Sequence, residues 1–420
     1  LQSRFSEANA SYEDLERLAH ERDDRRLELA ALIAQGKLRA NVTPFFDAAA
    51  GRALMERALA LAETLGDRAA EVRILWNLLN VDRFDFNTSD RAVANGERAL
   101  AIARELELTE ETAYLLNDLG QLYGTLGQLE QGRVLLAEAQ TYWRALDNQP
   151  MLADSLSAFA VWTAISGNLP AALAATEEAL AVATRIGNVW GQAFAGGTRG
   201  LVLGYLGRFG EGIEGLYRGI EQARESGFVG GQMLARAFLA TILQELARPD
   251  EVLELARAGL EIGRDQLPQF AAMCLGRLAM GLLSQGDLAG AAAALDDPLA
   301  NLERQLMYAE YDVYIARLEY ALAAGDYSRA LALADSTAAH WSARGARLWL
   351  PGVAVYRARA LLALGRPVEA RDQLREAAAT TRALGVRAAL WSVLWLLAEV
   401  EAKLGDGETA DNLRSEARNE

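Results

Sequence analysis

Apolar residues recur along this chain at helical spacing, and no segment shows the alternation of a half-buried strand. Short turn signals interrupt the pattern: Leu126-Gly127, Ser166-Gly167, Leu206-Gly207, Leu246-Ala247, Gln285-Gly286, Ala324-Gly325, Leu364-Gly365 and Leu404-Gly405. Their second members are spaced 40, 40, 40, 39, 39, 40 and 40 residues apart. A second series, Gly66, Gly187, Gly227, Gly345 and Gly385, lies half a period away. Two turns per period predict two helices per period, the mark of a repeat array.

Between the turns, small residues hold fixed places. One column runs Gly120, Ala160, Gly200, Ala240, Ala279, then Leu318 as an exception, Ala358 and Ala398. A second runs Ala92, Gly132, Ala172, Gly212, Val252, Ala291, Ala330, Ala370, Ala410. A third runs Ala58, Ala99, Ala139, Ala179, Gly219, Gly259, breaks at Pro298 and Thr337, and returns at Ala377. Small side chains at such points let paired helices approach closely. Pro170, Pro249 and Pro367 follow turns, and Pro150, Pro268 and Pro351 sit at or near helix starts, where a missing N–H is tolerated. Pro298 does not fit, and predicts an irregularity near residues 295–300.

Leu119-Gly120 followed by Tyr123, then Gly132 and Ala139, resembles the tetratricopeptide repeat (TPR) signature. Weaker copies extend from about residue 47 onward, with a period longer than the family's usual one. The expected fold is therefore all-α: a TPR-like superhelical solenoid of about ten antiparallel helix pairs. Residues 1–46 are read as an N-terminal helical lead-in and 47–420 as the solenoid. The phrases from Ala58 to Asp67 and from Ala99 to Leu106, with Asp14 to Leu18 as an opening, resemble the C-terminal sensor arm of bacterial STAND signal-transduction NTPases of the maltose-activator (MalT) type. That resemblance implies a small-molecule inducer, or a protein or peptide, in the concave groove. It also implies an upstream NTPase module in the full-length protein. The alternative is a generic TPR protein–protein interaction scaffold.

The chain begins at Leu1 and reads as a piece excised from a larger protein. It contains no Gly-x-x-x-x-Gly-Lys-Ser/Thr phosphate loop. Its formal net charge of −15 argues against direct nucleic-acid or anionic-membrane binding. One cysteine, Cys274, rules out an internal disulfide framework and fits a cytoplasmic location.

No catalytic constellation emerges, so the expectation is a binding protein and not an enzyme, with no cofactor and no metal. His20 and His340 stand alone, and Cys274 lies in an apolar stretch that suits a small buried hydrophobe. Acidic neighbours such as Glu110-Glu111 point about 100° apart on a helix and form no dyad. Gly196-Gly197 and Gly230-Gly231 are read as helix-packing positions.

By position, the resemblance carries the groove onto Asn77, Tyr114, Asn117, Gln121, Asp154, Ser157, Tyr205, Gln244, Asp312, Glu319, Arg359 and Glu399. The bland alternative is the solvated stripe of amphipathic helices. Arg199, Arg317 and Arg357 stand where the repeat wants an apolar residue. They pair with carboxylates such as Glu319 or Glu310, or else Arg317 and Arg357 clamp an anionic ligand. Aromatics concentrate in residues 306–395, including Tyr308, Tyr311, Tyr314, Trp341, Trp349, Tyr356, Trp391 and Trp395. They are read mainly as core, and they mark that stretch as the first choice for a site.

Overall fold

The computed structural model describes residues 3–40, 45, 47–83, 89–301 and 307–419. It holds twenty-one α-helices and no strand among those residues. In chain order they are α1 (Ser3–Arg22), α2 (Arg25–Ala40), α3 (Ala48–Leu65), α4 (Arg68–Asp82), α5 (Ser89–Glu105), α6 (Thr109–Thr125) and α7 (Leu129–Ala145). Next come α8 (Gln149–Ile165), α9 (Leu169–Arg185), α10 (Val189–Tyr205), α11 (Phe209–Glu225), α12 (Val229–Glu245), α13 (Pro249–Gln266) and α14 (Pro268–Ser284). The last are α15 (Leu288–Asp296), α16 (Met307–Ala323), α17 (Tyr327–Ala343), α18 (Leu350–Ala363), α19 (Pro367–Leu384), α20 (Arg387–Lys403) and α21 (Gly407–Asn419). After α1 they form successive pairs, α2 with α3 through α20 with α21. The expected boundary at residue 46 falls on residues outside the described set.

Local chemistry explains the beat. Helices α8 and α9 each run seventeen residues, and three-residue turns join them to each other and to α10. All eight residues of the first turn series have a left-handed backbone. At Gly167 (φ 97°) the turn closes with Asn168 N–H donating to the Thr163 carbonyl at 3.0 Å, the motif that ends a helix at a glycine. Asn168 then starts the next helix, its Oδ1 accepting from Ala171 N–H at 3.2 Å. Asn148, Asn188, Asp287 and Asp326 cap their helices in the same way. Six of the eight prolines lie in the first turns of α8, α9, α13, α14, α18 and α19, where no donor is lost.

Ala247 is the one member of the first series that is not glycine, and its φ is 53°. A Cβ in this region is strained. Ala247→Gly is expected to stabilise the chain by about 1 kcal/mol. Urea unfolding would show this as a higher midpoint at unchanged slope.

The small columns are buried. Ala160, Ala240, Ala279, Ala358 and Ala398 are fully inaccessible, as are Ala172, Ala291, Ala370 and Ala410 of the second column. A Cβ on Gly200 would stand 3.0 Å from the Gly212 carbonyl oxygen, so α10 and α11 touch backbone to backbone. Gly197 and Gly219 continue that contact, whereas a Cβ on Gly196 would meet open space. Pro298 does break its repeat: α15 stops after nine residues, and a 3-10 turn follows at Pro298–Asn301. With α15 cut short, α14 packs directly on α16, and Leu318, the exception in the first column, is fully buried there.

The chain divides into two compact units, residues 1–123 with 134–146, and residues 124–133 with 147–420. Within the second unit the helices turn far enough that α10 meets α20. A Cβ on Gly207 would lie 3.1 Å from Arg387 Cβ, and one on Gly167 2.8 Å from Leu384. The unit thus closes on itself.

Candidate functional site

Closure of the second unit leaves a cavity of about 340 Å³. The first helices of six consecutive pairs wall it: α10, α12, α14, α16, α18 and α20. Two columns of side chains point in. Six residues before each turn residue stand Leu201, Thr241, Met280, Glu319 and Arg359. Two before it stand Tyr205, Glu245 and Ser284. Residues four apart on a helix share a face, which is why both columns reach the same space. Ile242, Leu283, Leu348, Val355, Ala389 and Trp391 complete a mainly apolar wall.

The polar groups are few and placed. Arg359 donates to both Glu319 oxygens, at 2.5 and 3.0 Å, across one repeat, and its guanidinium lies over the Tyr356 ring at 5.6 Å. Gln244 Nε2 donates to Ser284 Oγ at 2.8 Å, and that hydroxyl donates to the Met280 carbonyl. Glu245 has no hydrogen-bond or ion-pair partner among the described residues. It is exposed to the cavity, yet the cavity lining takes away part of the water around its carboxylate. That loss of solvation pushes its carboxyl up from 4.5 to about 7, against the pull of Arg277. Tyr205 is pushed up to about 12 by burial, with Trp349 hydrogen-bonding to it and opposing the shift.

Below the cavity lies a buried ion pair. Arg277 of α14 and Asp312 of α16 are 5% and 6% exposed and hydrogen-bond to each other. Burial pushes the Asp312 carboxyl up, and the guanidinium beside it pulls the other way. Tyr311 stacks on Trp349 with centroids 4.5 Å apart, and Tyr308 stacks on Trp162 at 5.2 Å. Cys274 is buried, and burial pushes its thiol up to about 12, far from nucleophilic use at neutral pH. His340 packs edge-on against Trp341, with Nε2 3.2 Å from Glu310.

The cavity brings together four of the residues expected in the groove: Tyr205, Gln244, Glu319 and Arg359. Asp312 sits beneath it, on the buried pair. Ser157 is buried and donates to the Ala153 carbonyl at 2.7 Å, Asp154 is half-buried on the same helix, and Glu399 is exposed on α20. Four more lie in the first unit. There Asn77 donates to the Arg73 carbonyl, Tyr114 sits between Trp76 and Trp143, Asn117 is buried, and Gln121 is half-buried.

The three arginines of the apolar column lie away from the cavity; two of them pair with carboxylates as expected, though not with Glu319 or Glu310. Arg317 hydrogen-bonds to the Asn301 side chain at 2.6 Å and to the Ala300 carbonyl at 3.2 Å, not to Glu319 or Glu310. Arg357 donates to Asp335 and Gln373, and Arg199 lies 3.8 Å from Glu177. Arg317 and Arg357 engage different groups on different helices. The physical reason is reach: a long side chain at this position crosses to the second helix of the preceding pair, or to the 3-10 turn that follows its truncated form.

Glu245, Met280 and Ser284 were missed by the sequence reading. The signal existed, because Glu245 and Ser284 repeat the Tyr205 position in the next two repeats, and Met280 shares a column with Glu319 and Arg359.

No family model matches this chain, and no curated protein does. Among solved structures, it resembles a Rap protein complexed with competence and sporulation factor. The TM-score is 0.55 at 16% identity, over 84% of this chain and 97% of that one. Weaker likenesses are to yeast Tom70 (TM-score 0.38, 11% identity, 99% and 92% covered) and to a STAND protein with a tetratricopeptide repeat sensor from Pyrococcus horikoshii. The latter has a TM-score of 0.35 at 15% identity, over 87% of this chain and 52% of that one. The chain is a TPR-type α-solenoid. No helix among the described residues is long and apolar enough to cross a membrane.

An unpaired acid whose carboxyl is pushed up by lost solvation should cost stability. Between pH 4.5 and 7 the folded chain keeps a proton that the unfolded chain releases. This group's contribution therefore falls as pH rises through that window and stays lost above it. Glu245→Gln is expected to melt higher than the parent above pH 7, the difference vanishing below pH 4.5. Melting curves across that range check this.

Proposed function

We propose that this chain is a non-catalytic sensor arm of a STAND-type regulator. It binds a small molecule, or the end of a peptide, within the second unit. One observation carries the reading: six helices from six repeats converge on one cavity of about 340 Å³. That volume suits a small ligand, and a folded partner would need an open face. The repeat phrases of the STAND sensor type support the regulator assignment. Ligand binding would favour the closed arrangement of α10 against α20, and the signal would pass to an NTPase module by population shift. The buried, reduced Cys274 agrees with a cytoplasmic setting.

Native mass spectrometry of the chain purified gently from its host tests this. The expected spectrum carries a small added mass that denaturation removes and that Val355→Trp, which fills the cavity, abolishes. A copurifying protein with no small mass would favour the scaffold alternative. In the full-length protein, the ligand should change the hydrolysis rate of an adjoining phosphate-loop module.

A further inference from the structure

We propose that the cavity selects a ligand bearing a protonated amine or guanidinium, seated against Glu245, with an apolar body lying along Leu201, Ile242, Met280 and Val355. This rests on reading the cavity as a ligand site.

The inference follows from the charges that face Glu245. From α16 and α18 come Glu319 and Arg359, which satisfy each other in a two-point pair. From α14 comes Arg277, which is bound to Asp312. From α10 and α18 come the phenols of Tyr205 and Tyr356, both held neutral by burial. Among the described lining residues every charge is matched except one carboxylate. Beside it in sequence, Gln244 Oε1 is buried with no partner, since the amide nitrogen is taken by Ser284. The cavity therefore offers one unmatched carboxylate and no uncommitted cation among the described residues. An unpaired carboxylate beside apolar lining is poorly compensated until a cation reaches it, and a charged N–H···O bond there is among the stronger contacts available. An anionic ligand would meet uncompensated negative charge. The net charge of −15 also draws cations toward the chain at long range.

Isothermal titration calorimetry with phenylbutylamine, phenylbutanol and phenylbutyrate tests this, because the three share an apolar body and differ in the head group. The amine should bind at least about tenfold more tightly than the alcohol, a difference of about 1.4 kcal/mol. The carboxylate should bind most weakly. Amine affinity should rise as pH passes through 7 and Glu245 ionises, with the alcohol unaffected. Glu245→Gln should abolish the amine preference and leave alcohol binding intact. Equal affinity for amine and alcohol, or a preference that survives Glu245→Gln, overturns the cation inference. In that case, probes that still bind and are still excluded by Val355→Trp would leave the cavity reading standing. If no probe binds, or binding persists in Val355→Trp, the cavity reading falls and the inference falls with it. Met280→Phe serves in its place should Val355→Trp fail to fold, as judged by circular dichroism.

Discussion

Asp312→Ala should destabilise the second unit by about 3–5 kcal/mol, the cost of stranding a buried guanidinium. Arg277 and Asp312 are almost wholly out of water, and Arg277 Nε finds no partner among the described residues. The guanidinium cannot lose its charge, so removing the carboxylate leaves a cation that the surrounding apolar core cannot solvate. The double replacement Arg277→Met with Asp312→Leu should recover most of the loss, since apolar side chains of similar volume need no partner. Urea unfolding of the two singles and the double measures the coupling. A double variant as unstable as Asp312→Ala would mean that shape, and not charge pairing, holds this place. Hydrogen exchange should localise the loss to α14 and α16, because each repeat touches mainly its neighbours.

Gly276→Ala should cost about 1–3 kcal/mol even after its gain in helix propensity. Its Cβ would stand 2.6 Å from the Asp312 carbonyl carbon and 2.7 Å from the oxygen. Those atoms belong to the backbone of α16 and cannot swing aside. Gly263→Ala is the control. Its Cβ would meet Met233 Cε, the far end of a flexible side chain that can change rotamer. There the propensity gain of about 1 kcal/mol should offset the crowding. Thermal melts of the two variants should separate clearly, and a Gly263→Ala as damaging as Gly276→Ala would refute the distinction.

Several features were legible before any coordinates. The turn series marked every left-handed residue it named, because ending a helix and starting its antiparallel neighbour within three residues demands that backbone. The small columns marked the helix contacts, because only Gly or Ala allows backbones so close. Pro298 marked the truncated helix, because its ring cannot continue one. Each of these is a local constraint, set within a few residues.

The site was only half legible. Tyr205, Gln244, Glu319 and Arg359 were named from their columns, but the same columns supply Glu399, which lies outside the cavity. Arg317 and Arg357 looked equivalent, yet one meets the 3-10 turn after Pro298 and the other meets α17 and α19. Column membership says which face a residue occupies. It does not say what that face meets.

The amino-acid sequence by itself determined an all-helical chain, a forty-residue period, the turn residues, the close-packing points and the one broken repeat. Those follow from backbone conformation and side-chain size, which act over a turn or two of chain. Only the tertiary structure decided that α10 meets α20, that a cavity closes between them, and that Glu245 is its one unmatched charge. Closure sums small rotations over six repeats, and pairing depends on which distant side chains those rotations bring within reach.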